Sequence, residues 1–212
     1  MRDQTIDPEL IKKRMSLNYQ YDSANPANER LDCVRSLIAA LADQQLSMSE
    51  FLQSAVDVIR DSFWVKEVTL GLRSRSDGLY RYEVMAGLSD VSWEAHKQLA
   101  YTLEQCEDPE LYAFAQISSL TRLFLVEDNP YGKDEESTFN RELMLQSSRK
   151  SLDGTIEGDY IDVRILGKGG ALLGWIELSG TTDGKFLDVH TIKCLELLAS
   201  VLGIALTFSE TR

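Results

Sequence analysis

The sequence is poor in cysteine and histidine. It contains three cysteines and two histidines among 212 residues. Cys33, Cys106 and Cys194 lie far apart and form no CxxC pair, which excludes a zinc ribbon or a thioredoxin-like redox motif. Three reduced thiols in a cytoplasmic protein are therefore expected.

Positive charge is also scarce. Lysine and arginine number 22 against 34 acidic residues, and the formal net charge is −12. A basic patch that would bind nucleic acid is therefore not expected. Acidic residues concentrate in segments 104–110 and 127–136. Unless Lys133, Arg122 or Arg141 turns inward, this field favours a neutral or cationic ligand.

Long uninterrupted apolar runs are missing as well. The N-terminus MRDQTIDPELIKKR has no apolar core of a signal peptide. Polar residues at Glu196, Ser200 and Thr207 interrupt the longest apolar stretch, so no membrane-spanning helix is predicted. With 43% hydrophobic residues, the chain can still form one folded domain.

Helical patterns occur near both ends of the chain. Asp7-Pro8 predicts a short helix to about Met15, and a loop over 18–28 follows. We therefore divide the chain into an N-terminal arm, residues 1–25, and a domain, residues 26–212. Three further helices are predicted from apolar residues that recur every three or four positions. They cover residues 26–41, 48–63 and 188–208. The first of them begins at Asn25-Pro26, and a capping box at Ser47 and Glu50 begins the second.

Alternating apolar and polar residues predict strands between these helices. Two β-hairpins are predicted, over 68–86 and over 159–178, each with a turn that contains glycine. A further strand is predicted over 120–126, and helices over 90–105 and 109–115. Residues 141–146 are ambiguous between helix and strand. The order predicts an α+β fold, an antiparallel β-sheet of five or six strands with helices packed on it.

The sequence resembles the GAF domain family over about residues 30–208. The resemblance is carried by LSMSEFLQSAVDVIRDSF leading into VTLGLRS, by IDVRILGKGGALLGWIELSG, and by the closing segment GKFLDVHTIKCLELLASVLGIAL. It implies a PAS-related architecture and a small-molecule sensory module. The implied pocket lies between the sheet and the segments that connect its strands, here about residues 93–146.

Side chains of the sheet and of these connecting segments are the candidate pocket residues. Aromatic rings can line a cavity for a flat organic ligand, although each also suits an ordinary core. The candidates are Tyr82, Trp93, His96, Tyr101, Cys106, Tyr112, Phe124 and Trp175. No catalytic residue and no metal ligand is assigned, and any cofactor is unknown.

The ligand types of the resembled family find few matching residues here. Cyclic-nucleotide-binding members carry an Asn-Lys pair, whereas Asn129 precedes Pro130. Bilin-binding members carry a histidine beside the chromophore cysteine, and neither His96 nor His190 follows a cysteine. For His96, a hydrogen-bonded structural role is favoured over haem ligation. The acidic run 127–136 lacks EF-hand spacing and predicts a solvated loop.

We therefore expect a non-catalytic sensory or regulatory module that binds a small molecule. Because no output module fits in the remaining residues, we expect it to act on a partner in trans or through a homodimer. The helices over 26–43 and 188–208 are the expected dimer surface. Two alternatives stay open. One is a thiol-dependent reductase of the free-methionine-sulfoxide type, for which only Cys106 lies in the pocket segment. The other is a domain that only binds a protein partner.

Overall fold

A computed structural model of the chain describes residues 8–22, 26–42, 46–129, 135 and 137–209. In chain order its elements are α1 Pro8–Asp22, α2 Pro26–Ala42, α3 Met48–Ser62, β1 Val65–Arg73, β2 Tyr80–Ala86, α4 Asp90–His96, α5 Leu103–Glu107, β3 Ala115–Gln116, β4 Thr121–Phe124, α6 Arg141–Gln146, β5 Tyr160–Leu166, β6 Leu172–Thr181 and α7 Val189–Ser209. A short 3-10 turn, Lys168–Gly170, joins β5 to β6.

The six strands form one sheet in the order β2-β1-β6-β5-β4-β3. All neighbouring strands are antiparallel, which confirms the predicted α+β architecture. Both predicted hairpins, β1-β2 and β5-β6, are present. They pair with each other through β1 and β6, so residues distant in sequence meet in the middle of the sheet.

Three helices cover one face of the sheet. The predicted capping box begins α3, where the backbone N–H of Ser47 donates to the Glu50 carboxylate at 2.8 Å. The apolar stripe of α3 faces the same core as α2, α7 and the inward residues of the strands, because an amphipathic helix buries one side. The centre of this core consists of Phe51, Ala55, Val56, Ile59, Val68, Leu70, Val163, Ile165, Ile176, Leu195, Leu198 and Leu202.

The last helix, α7, is more apolar than the sequence prediction assumed. Over Val189–Phe208 it is long and apolar enough to cross a membrane, with a mean hydropathy of 1.7. The interrupting polar residues therefore do not exclude such a span, which corrects the earlier reasoning. Core helices of globular proteins meet the same criterion. Here Leu198 and Leu202 are completely buried in the core, as expected of a core helix.

The N-terminal helix and the segment after β2 differ from prediction. α1 continues to Asp22 instead of ending near Met15. The single helix predicted over 90–105 is divided into α4 and α5 because Tyr101 forms a β-bridge with Tyr80. Their backbone N–H groups donate to each other's carbonyls at 2.8 and 3.0 Å, and helical hydrogen bonding cannot continue through such a pair.

The connecting segments also correct two local predictions. The helix expected over 109–115 is a turn that leads into β3, Ala115–Gln116. The ambiguous residues form α6, with Asn140 as its cap: Leu143 N–H donates to the Asn140 side chain at 3.1 Å. The predicted caps Asp7 and Asn25 lie outside the described residues.

Candidate functional site

A cavity of about 610 Å³ lies on the sheet face opposite α2, α3 and α7. Strands β1, β4, β5 and β6 supply its floor. Side chains of α4 and α5, Glu135 and lining residues between 138 and 160 supply its walls. Small-molecule sites commonly measure about 300–1,000 Å³, so the cavity has a suitable size for one organic ligand.

The register of the sheet aligns a row of polar side chains on this floor. Thr69 in β1 pairs with Glu177 in β6. Glu177 pairs in turn with Asp162 in β5, and Asp162 pairs with Arg122 in β4. All four residues line the cavity, because directly paired residues of neighbouring strands project from the same face. We call Thr69, Glu177, Asp162 and Arg122 the polar row.

Strand alternation explains why this face is polar. In β5, Ile161, Val163 and Ile165 enter the helix-covered core, while Asp162 and Arg164 between them face the cavity. The sequence shows the alternation, and a polar strand face would ordinarily be exposed to solvent. The connecting segments cover it here, so charged groups are enclosed with the cavity.

Two arginines at one end of the floor share a carboxylate. Arg122 Nη2 and Arg164 Nη2 donate to the two oxygens of Glu107 at 2.7 and 2.6 Å. Arg122 Nη1 also donates to the Cys106 carbonyl at 2.9 Å, and its guanidinium lies 4.3 Å from the centre of the Phe114 ring. Three of their four terminal nitrogens are therefore engaged by the protein itself. The Nε atoms of both arginines are buried and have no partner among the described residues.

Aromatic rings and two carboxylates form the opposite wall. Tyr82 donates its hydroxyl to Glu177 at 2.8 Å. Tyr101 and Tyr112 both donate to the same oxygen of Glu135, at 3.3 and 2.7 Å. Burial is the largest cause that raises the pKa of each of these three tyrosines. They therefore stay protonated and act as donors toward carboxylates.

The rings of this wall meet edge to face. Tyr82 lies 5.7 Å from Trp175 at an interplanar angle of 90°, and 6.4 Å from Tyr101 at 80°. His96 meets Tyr82 at 4.8 Å and 86°. Its Nδ1 lies 2.8 Å from the Ser92 carbonyl, which places the proton on Nδ1. Burial lowers the pKa of His96, so the ring is neutral and hydrogen-bonded, as expected from the sequence.

A buried ion cluster holds the segment that covers the cavity. Asp159 accepts from the backbone N–H groups of Val126 and Ile156, at 3.2 and 2.9 Å. Arg149 donates to Asp159 at 2.9 Å and to the Gly154 carbonyl at 2.6 Å. Asp159 is only 3% exposed. Its carboxylate thus fixes the turn at 154–159, which lines the cavity.

Three carboxyl groups of the floor are strongly perturbed. Burial, with repulsion from Glu157 and Glu177, raises the pKa of Glu67 to about 7. Burial also raises the pKa of Glu177 to about 7, although the bond from Tyr82 opposes the shift. The pKa of Asp162 is raised well above its ordinary value, by burial first and then by Glu177. Such perturbed groups in a cavity are typical of functional sites.

The cysteine in the cavity wall is poorly suited to thiolate chemistry. Burial and neighbouring acids raise the pKa of Cys106 to about 12. Cys194 belongs to the helix-side core, on the other face of the sheet, and Cys33 donates to Ser62 on α3. A reactive cysteine needs a lowered pKa and a nearby partner thiol for its resolution. This geometry does not favour the reductase alternative.

Seven of the eight predicted pocket residues line the cavity. They are Tyr82, His96, Tyr101, Cys106, Tyr112, Phe124 and Trp175. Trp93 lies outside the lining, and Lys97 Nζ is 5.9 Å from its ring centre. Whether these residues bind a ligand stays a prediction. Of the cations considered in the sequence analysis, Arg122 faces the cavity, while Lys133 and the side chain of Arg141 lie outside the described part of the chain.

The charged floor was not predicted as a site. Thr69, Asp162, Arg164 and Glu177 all line the cavity, and each lies on a predicted strand. The available signal was the strand alternation itself, which places polar residues on one face. Strand pairing order, which brings β1, β6, β5 and β4 side by side, is not visible in the sequence.

This architecture is found in known protein structures. No protein-family profile and no curated protein matches the sequence. Solved structures do match. The GAF domain of a phosphoenolpyruvate-protein phosphotransferase from Acinetobacter is 13% identical with a TM-score of 0.55, over 87% of this chain and 96% of that one. The GAF domain of the corresponding protein from Coxiella burnetii is 11% identical with a TM-score of 0.57, over the same shares.

A chromophore-binding domain of a bacteriophytochrome from R. palustris is also similar. It is 13% identical with a TM-score of 0.54, over 87% of this chain and 63% of that one. The six-stranded antiparallel sheet with helices packed on it thus defines an α+β domain. More narrowly, the chain has the GAF fold, as the sequence resemblance predicted. Identities this low carry the fold and no particular activity.

Proposed function

We propose that this chain is a non-catalytic sensory or regulatory module that binds a small organic molecule in the cavity above the sheet. The supporting observation is the polar row. Thr69 Oγ1 and Asp162 Oδ1 are buried and find no hydrogen-bond partner among the described residues. A buried polar atom without a partner costs about 1–3 kcal/mol. A ligand that pairs with these atoms would recover that free energy.

Ligand binding can reach the helices through one layer of sheet. Asp162 faces the cavity, whereas its neighbours Ile161 and Val163 belong to the core that also contains Leu198 of α7. A ligand that repositions β5 therefore changes the surface on which α7 packs. This fits a population shift between two helix packings that a partner would recognise.

The outer surfaces of α2 and α7 are the proposed contact with a partner. Large apolar side chains are exposed there: Ile38 is 42% exposed, Leu197 45% and Ile204 59%. We propose a cytoplasmic homodimer through these helices, with action on another protein in trans. Light scattering at high protein concentration is expected to give the dimer mass, with a lower mass for Ile204→Glu. A monomer mass for the unchanged protein would contradict the dimer.

Ligand screening tests the proposed function itself. A library of small organic metabolites is expected to contain compounds that raise the Tm of the purified protein. Ser179 lines the cavity, and Ser179→Trp is expected to abolish those shifts by filling the space. Ser36 is exposed on α2, so Ser36→Trp is the matched control. If no compound shifts the Tm of the unchanged protein, the domain that only binds a protein partner is favoured. Equal shifts in the two variants would place the binding site outside the cavity and contradict the proposed site.

A further inference from the structure

We propose that the ligand is an organic ammonium ion, a protonated amine with an apolar body, whose charged group binds at Glu177 between Thr69 and Asp162. This inference rests on the proposed small-molecule function and names the ligand class. It is argued from three independent features of the cavity: its charge balance, its unpartnered acceptors and its aromatic wall.

The first feature is an excess of acidic over basic side chains around the cavity, six against four. Three carboxyl groups line the floor, those of Glu67, Asp162 and Glu177. In the described part of the chain, no lysine or arginine forms an ion pair with any of them. The two nearby arginines bind Glu107 instead. Burial disfavours the ionised form of these three groups and raises their pKa values. A ligand cation beside them would favour the ionised form and form the missing ion pair.

The second feature is a set of buried hydrogen-bond acceptors. Thr69 is 3% exposed, and its Oγ1 has no partner in the structure as described. Oδ1 of Asp162 is also buried and has no hydrogen-bond partner among the described residues. Thr69 and Asp162 pair with Glu177 from either side in the sheet. An ammonium group has three N–H donors and no acceptor. It can therefore donate to the Thr69 hydroxyl and to the carboxyl groups of Glu177 and Asp162, which follow one another in the polar row.

Other ligand charges match this row less well. A phosphate or carboxylate only accepts hydrogen bonds and would be repelled by the three acidic side chains. A neutral alcohol could donate one hydrogen bond but would leave the charge uncompensated. The cations that an anion could meet are Lys66 and Lys150 in the lining and the two arginines at one end of the floor. Glu107 already binds Arg122 and Arg164, and only their Nε–H groups are buried without a partner among the described residues.

The third feature is the aromatic wall beside Glu177. Tyr82 bonds to Glu177 directly, and Trp175 lies two residues before it on the same strand face. Aromatic faces attract cations, by about 0.5–2 kcal/mol. In the described ranges, no three acidic, histidine or cysteine side chains converge as a metal site requires. With a volume near 610 Å³, the cavity suits an organic cation rather than a bare metal ion.

Matched fragments of different charge test this inference. The probes are 2-phenylethylamine and n-butylamine, their neutral counterparts 2-phenylethanol and n-butanol, and the anions phenylacetate and butyrate. Binding to the full chain is measured at pH 7.5 by calorimetry and by chemical-shift perturbation. We expect each amine to bind at least about tenfold more tightly than its alcohol. The anions are expected to show no measurable binding.

Amide variants locate the charged group. Glu177→Gln and Asp162→Asn keep side-chain size and remove the charge, and each is expected to weaken amine binding at least about tenfold without affecting alcohol binding. Glu83 lies exposed on β2 outside the cavity lining, so Glu83→Gln is the matched control and is expected to bind like the unchanged protein. Circular dichroism establishes that each variant is folded. If one of the two fails to fold, the other still tests the charge.

The outcomes separate the ligand class from the function. If alcohols or anions bind as tightly as amines, or if both amide variants leave amine binding unchanged, the ammonium inference is overturned while the small-molecule function stands. If no fragment of any charge binds and the metabolite library also shifts nothing, the proposed function fails with it.

Discussion

Asp162 and Glu177 are cross-strand partners in the centre of the sheet, and both carboxyl groups face the cavity. Like charges directly opposite each other destabilise a sheet, and enclosure adds a desolvation cost to each. Both pKa values are raised as a result, that of Glu177 to about 7. The two groups repel each other when both are ionised, so ionisation of one disfavours ionisation of the other.

This pair makes stability depend on pH in a defined direction. The ordinary pKa of glutamate is 4.5, and that of Glu177 in the folded protein is about 7. Between these values the folded state holds more protons than the unfolded state, so this contribution to the free energy of unfolding decreases as pH rises from about 4.5 to 7. Glu177→Gln removes it. We compare the free energy of unfolding of Glu177→Gln with that of the unchanged protein. The difference in favour of the variant is expected to be about 1–2 kcal/mol larger at pH 8 than at pH 5, after a discount for partial solvent screening.

Urea unfolding at pH 5 and pH 8 measures this difference. Glu110 is exposed in the turn before β3, and Glu110→Gln serves as the control, with an expected gain near zero. If the stability of the two variants depends on pH in the same way, the pKa of Glu177 is not raised by folding and this prediction fails.

Two threonines of the same sheet are expected to respond oppositely to valine. Thr69 Oγ1 is buried without a partner in the described chain, whereas Thr121 Oγ1 donates to Glu196 on α7 at 2.7 Å. Removing an unpaired buried hydroxyl removes a cost, and removing a paired one leaves the partner carboxylate short of a donor. We expect Thr69→Val to be neutral or up to about 1 kcal/mol more stable, and Thr121→Val to lose about 1–3 kcal/mol.

Thermal and urea unfolding of both valine variants provide the comparison. The size and shape of the side chain change equally in the two, so packing effects largely cancel. A loss for Thr69→Val as large as that for Thr121→Val would mean that Thr69 has a partner in solution. In that case the polar row would lose one of its open acceptors.

Local signals in the sequence were sufficient for most of the fold. The capping box at Ser47 and the hairpin turns depend on residues close together in the chain, and they lie where predicted. The helix predicted over 90–105 failed because its interruption is a tertiary contact, the bridge between Tyr101 and Tyr80. No local pattern encodes such a bridge.

The candidate site was predictable only in part, for a related reason. Aromatic residues were proposed because ring size favours enclosed positions, and most of them do line the cavity. Asp162 and Glu177 were missed because isolated acidic residues in strands ordinarily indicate a solvated face. Whether they face solvent or an enclosed cavity depends on the strand order and on the covering segment that Asp159 and Arg149 hold in place. Both are properties of the assembled fold.

A glycine beside the cavity is expected to control the position of its tryptophan. A Cβ atom on Gly71 would lie 2.5 Å from the ring atoms Cε2 and Cζ2 of its cross-strand partner Trp175. Such an approach forces the ring to move. We expect Gly71→Ala to cost about 1–3 kcal/mol of stability and to change the fluorescence of the cavity tryptophan.

Ser179→Ala gives the comparison for that variant, because it removes only a hydroxyl from the same floor. It is expected to leave the emission spectrum unchanged. An unaltered spectrum and unaltered stability for Gly71→Ala would mean that the ring does not pack over β1 as found.

The reactivity of Cys106 distinguishes a binding module from a thiol enzyme. Its pKa is raised to about 12, first by burial and then by Asp162 and Glu107. Since the thiolate is the nucleophile, only a very small fraction of the side chain is reactive at pH 7.5. We expect iodoacetamide to modify Cys106 at least about tenfold more slowly than it modifies free glutathione. Peptide mass spectrometry over time measures the rate, and the fully unfolded chain provides the control for intrinsic reactivity. Fast modification of the folded protein would instead require a lowered pKa and would restore the reductase alternative.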